Sequence, residues 1–88
     1  MTFTVQCEAY IFAGVVQRSI AVMGTEIRGT ASEQRGGGWA WFLRYPDGEC
    51  AGEGGDASWD GVLGGIRDAL AMEVRYGRLG YVPREATP

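Results

Sequence analysis

Only one stretch of this chain repeats its apolar residues at intervals of three and four. Trp59, Val62, Leu63, Ile66, Leu70 and Val74 make a single stripe on a helix. Ser58 stands where an N-cap belongs, Asp60 lies in the first turn, Arg75 lies in the last turn, and Gly77 follows as a C′ residue. An amphipathic helix must bury its stripe against something. Everything ahead of it that is periodic at all has a period of two, so the partner has to be a sheet.

The alternation is clearest at the two ends of that region. From Thr2 to Phe12, one face carries Phe3, Val5, Cys7, Ala9 and Ile11, which predicts a strand with that face buried. Ala13-Gly14 turns the chain into a β-branched run, Val15 to Met23, and Gly24-Thr25 breaks it again. Glu26 to Glu33 alternates weakly. Trp39 to Tyr45 is the strongest strand signal, with Trp39, Trp41, Leu43 and Tyr45 on the face the helix is expected to cover and Phe42 and Arg44 outside. Pro46-Asp47-Gly48 is a turn with a mechanism: proline presets φ, aspartate caps, and glycine takes the positive φ. Glu49 to Glu53 reads as a short return strand ended by Gly54-Gly55, and Leu79 to Pro83 as a short edge strand.

The fold class that follows is α+β: an antiparallel sheet of about four to five strands with one amphipathic helix packed on one face. With 88 residues the chain holds one domain, expected over 1–83, with a loose tail at 84–88. Gly61, Gly64 and Gly65 each cost roughly 1 kcal/mol inside a helix. The expected return is a close approach of helix to sheet.

Function is constrained first by what is missing. The chain has no histidine and no lysine, and every basic residue is arginine. Ser-His-Asp and Cys-His catalysis, histidine metal ligation, lysine Schiff bases and the P-loop lysine are all excluded. No catalytic residue and no cofactor is expected. The glycine runs Gly36-Gly37-Gly38 and Gly52 to Gly55 lie in no phosphate-loop context. Cys7 and Cys50 match neither a zinc nor a redox spacing, and are expected to be reduced and buried. The longest apolar run, Ile11 to Val16, is too short for a bilayer, and no basic segment precedes an apolar N-terminus. The expectation is a cytoplasmic protein with no membrane partner.

Charge is unevenly spread. The net charge is −3, yet residues 46–73 hold Asp47, Glu49, Glu53, Asp56, Asp60, Asp68 and Glu73 against Arg67 alone. The plainer reading is a solvated hairpin and helix face. The functional reading is an acidic surface that meets a basic one, with Asp47, Glu49, Glu53, Asp56 and Asp60 as partner-binding candidates and exposed Phe42 as an apolar anchor. The spacing of these carboxylates misses the EF-hand pattern, so no metal site is expected. Trp39, Trp41 and Tyr45 with Arg44 suggest a stacking platform for single-stranded nucleic acid. The acidic balance argues against direct nucleic-acid binding.

Residues 37–74 resemble the partial-RNase-H-like domain of HicB-type antitoxins. The likeness rests on Gly38, Trp39, Trp41, Phe42, Tyr45 and Pro46-Asp47-Gly48 as the aromatic strand and acidic turn. Ala51, Gly52, Glu53 and Gly54 match the following strand, and Ser58, Asp60, Val62, Leu63, Ile66, Arg67 and Leu70 match the capped helix. In size, acidity and single β/α layering the chain is also similar to small phage and mobile-element inhibitors, including anti-CRISPR proteins. These resemblances imply a non-catalytic inhibitor whose partner is a protein with a basic surface in a nucleic-acid-handling complex. A small nucleic-acid-binding domain and a homo-oligomeric structural module remain as alternatives, and a homodimer is left open.

Overall fold

The structure is a computed structural model and describes residues 3–80. Five strands precede one helix: β1 (Val5–Phe12), β2 (Val15–Val22), β3 (Arg28–Glu33), β4 (Trp39–Arg44), β5 (Cys50–Asp56) and α1 (Trp59–Arg75). The strands form one antiparallel meander in the order β1-β2-β3-β4-β5. The α+β class and the single helix on one face are as the periodicities predict. Tail residues 84–88 lie outside the described residues. Of the expected edge strand 79–83, Leu79 and Gly80 are not in a strand, and the rest lies outside the described residues.

Two turns set the register. Ala13 and Gly14 both take positive φ, 52° and 77°, the conformation of a two-residue hairpin loop whose twist matches its strands. At the other hairpin Gly48 takes φ 91°, its N–H donates to the Tyr45 carbonyl at 2.9 Å, and the Glu49 N–H donates to Asp47 Oδ1 at 3.0 Å.

Register assigns each side chain to a layer. Beneath the helix lie Ile20 and Val22 of β2, Ala31 of β3, Trp41 and Leu43 of β4, and Ala51 of β5, with Val62, Ile66 and Leu70 from α1. Leu63 is only half-buried, at the margin of the stripe, whose centre is Val62, Ile66 and Leu70. The helix packs on β5 and, less, on β4. The close approach expected of the glycines is found at Trp41. A Cβ built on Gly65 of α1 would stand 3.1 Å from its indole, and one on Gly54 of β5 would stand 3.0 Å away. The same packing explains why β5 runs on to Asp56 instead of ending at Gly54-Gly55: the glycines give the Trp41 ring its slot.

Two expectations need correction. Cys50 is exposed, because the irregular pairing after Leu43 turns it outwards; Cys7 is half-buried, and both thiols are free. Ala9 and Ile11 are exposed although they share a face with Val5 and Cys7. β3 pairs with β2 only from Gln17 onwards, so the Ile11–Val16 and Phe12–Val15 rungs of the β1–β2 hairpin project past the rest of the sheet, while Ala9 lies on the strand farthest from β4 and β5, over which the helix packs.

Candidate functional site

The helix covers one face of the sheet and leaves the other open. Reading across strands β2 to β5, Ser19, Thr30, Phe42 and Glu53 stand in one row of the open face, with Glu8 of β1 opposite Ser19. The adjoining row holds Gln6, Ala21, Arg28 and Arg44. Phe42 is 37% exposed at the centre of this face, and the Arg44 guanidinium lies 5.0 Å from its ring centroid. Towards the hairpin end, Tyr10, Phe12 and Val15 are exposed on the same side of the pleat, and Tyr10 donates its hydroxyl proton to Gln17 at 2.8 Å.

The candidate carboxylates do not gather in one place. β5 spans about 20 Å between its ends. Asp47 and Glu49 precede it, at the C-terminal end of the helix, where both accept hydrogen bonds from Arg78 Nη1 at 2.8 and 3.0 Å. The Glu49 N–H and the Arg78 guanidinium hold the Asp47 carboxyl below its ordinary value. Asp56 lies at the opposite end and organises the helix start. It accepts from the Ser58 N–H at 3.0 Å, and Ser58 Oγ in turn accepts from the Gly61 N–H at 3.0 Å. Asp60 is exposed in the first helical turn. Glu53 alone shares the open face with Phe42, its cross-strand neighbour.

Arg78 also covers Tyr45, its guanidinium 4.3 Å from the ring centroid. The Tyr45 hydroxyl donates to Glu73 Oε1 at 2.6 Å. Burial, and then that bond to a carboxylate, push the Tyr45 pKa up to about 12. A raised pKa favours the neutral form in the fold. This contribution is therefore complete below about pH 10, where a free tyrosine ionises, and is lost as pH rises through about 12. An absorbance titration of wild type minus Tyr45→Phe should isolate a tyrosinate step at the upper value. Between those pH values the melting temperature of the wild type should fall further than that of Tyr45→Phe. A Tyr45 that titrates with the free amino acid would refute the buried hydrogen bond.

Two clusters escape sequence reasoning. Arg18 lies with its guanidinium 4.1 Å from the Trp59 ring and 4.9 Å from that of Trp39, and the two indoles meet edge-to-face at 5.0 Å. Its Nε is buried without a hydrogen-bond partner. Arg28 and Arg44 are direct cross-strand neighbours in β3 and β4 on the open face, Arg28 Nη1 donating to the Thr25 and Ile27 carbonyls at 2.9 and 2.8 Å and Arg44 Nη1 to the Gly48 carbonyl at 3.2 Å. Nothing in linear spacing joins these residues; only strand register does.

Among the described residues no group of three His, Cys, Asp or Glu side chains is placed to hold a metal ion. No described helix is long and apolar enough to cross a membrane. No family model, no curated protein and no solved structure matches the chain.

Proposed function

We propose that the chain is a non-catalytic protein-binding module, an inhibitor or antitoxin-like partner of a nucleic-acid-handling protein with a basic surface. The observation that carries this is Phe42, an exposed aromatic at the centre of an uncovered sheet face with the Glu53 carboxylate directly across from it. An aromatic anchor beside a complementary charge is the arrangement in which a few side chains dominate affinity. Tyr10, Phe12 and Val15 extend the apolar surface, and Asp56 and Asp60 lie at the same end as the hairpin tip. In this reading Glu53 and Phe42 dock, while the divided carboxylates steer the approach of a basic partner. The likeness of residues 37–74 to HicB-type antitoxins points the same way.

The opposed Arg28 and Arg44 beside Phe42 favour a second reading, single-stranded nucleic acid bound on the same face. One set of measurements separates the two. A partner captured by the tagged chain and identified by mass spectrometry should lose about a hundredfold in affinity to a folded Phe42→Asp, Glu53→Arg variant. Calorimetry measures the affinity and circular dichroism the fold. Unchanged affinity would overturn the docking reading. Oligonucleotide binding that falls steeply with salt and vanishes in Arg28→Glu, Arg44→Glu would establish the second.

A further inference from the structure

Among the described residues β1 is an edge strand, paired on one side only, with β2. Edge strands are normally protected by proline, bulges or several charges. β5 has such protection: an irregular register after Leu43 and the acids Glu53 and Asp56. β1 has a regular register along its whole length, no proline, and Glu8 as its one charged residue. Among the described elements the helix lies over β5 and β4, at the opposite edge of the sheet from β1.

The direction of the open main-chain groups follows from the hairpin. A two-residue loop makes Phe12 and Val15 the closing pair, which bond to each other. The alternation continues down the ladder to Thr4, whose carbonyl accepts from the Met23 N–H at 3.0 Å. Val5, Cys7, Ala9 and Ile11 therefore turn their N–H and C=O towards the open edge.

We propose that two chains pair antiparallel through β1 about a twofold axis at Ala9, joining both sheets into one. Residues that face each other across strands must share a face of the pleat, so the axis has to pass through a residue and not between two. Only centring on Glu8 or on Ala9 overlaps most of the strand. The Glu8 axis sets two carboxylates directly opposite each other. The Ala9 axis sets Glu8 against the partner's Tyr10 and Cys7 against the partner's Ile11, and forms about six main-chain hydrogen bonds.

This register also accounts for the most exposed large hydrophobic side chain among the described residues. Ile11 is 75% exposed, and Val16, its cross-strand neighbour, is exposed with it. In the dimer these two continue the row of Ile20 and Cys7 in the other chain, so each hairpin tip extends its partner's core. The symmetry keeps both helices on one side and both open faces on the other. The inference goes beyond the docking reading and leaves the Phe42 face free.

Sedimentation of the full chain alone, over a dilution series, tests it without any other protein. A dimer is expected, and a folded Ile11→Arg variant should raise its dissociation constant at least about tenfold. Register is tested in a Cys7→Ala, Cys50→Ala background by single cysteines under mild oxidation. Ala9→Cys should cross-link to itself readily, since paired strand positions lie within disulfide reach. Glu8→Cys should cross-link far more slowly, its counterpart being one diagonal step away. A chain that stays monomeric at every concentration overturns the proposal. A dimer in which Glu8→Cys links as fast as Ala9→Cys, or in which neither links, overturns it equally.

Discussion

Trp41→Ala is expected to lower the unfolding free energy by about 3–5 kcal/mol, the largest loss from any single side-chain truncation in this chain. A domain of this size has only ~5–10 kcal/mol to lose. Trp41 is 6% exposed, its indole held between Gly54 of β5 and Gly65 of α1. Truncation leaves a cavity that those glycines, having no side chains, are unable to fill. Denaturant unfolding followed by circular dichroism measures the effect, and the melting temperature should fall by about 4–8 °C per kcal/mol. A loss below about 1 kcal/mol would mean that the helix does not close over this ring.

Gly29→Ala is expected to be comparably damaging, about 3 kcal/mol or more, although it adds a single methyl group. Gly29 sits in β3 opposite Leu43 of β4. A Cβ there would run into the Phe42 main-chain carbonyl and crowd Leu43, so the two strands have to part. The same exchange at Gly64 meets open space on an exposed helix face. Gly64→Ala should therefore stabilise by about 0.5–1 kcal/mol through helix propensity alone. Identical chemistry with opposite sign is the outcome to look for in paired melts. Similar shifts at both positions would show that β3 and β4 are not paired in this register.

The elements themselves were legible because each is a local pattern. Alternation from Trp39 to Tyr45 placed β4 and put Phe42 on the outer face. Ala13-Gly14 and Pro46-Asp47-Gly48 marked two of the tight turns. Ser58 and the apolar stripe marked the helix. Local patterns misled where the environment was not local. Gly54-Gly55 reads as a strand end in isolation and is a strand interior because Trp41 lies over Gly54 and Gly55 continues the pairing opposite Ala40. Ile11 reads as a buried position by parity and is exposed because β3 is too short to flank it.

The candidate site divides in the same way. That Phe42 faces outwards follows from parity within β4. That Glu53 stands beside it follows only from register across β4 and β5. The acidic segment is one run in sequence, but a seven-residue strand carries Asp47 and Glu49 away from Asp56, and Arg78 returns from beyond the helix to pair with the first two. By itself, then, the sequence determined the strand and helix content, the turns, and which side chains share a face, since these depend on neighbours within a few residues. The tertiary structure alone decided which strand edges stay open, which residues become neighbours across strands and which charges meet. Those depend on strand length and register, which place residues far apart in the chain within a few ångströms of one another.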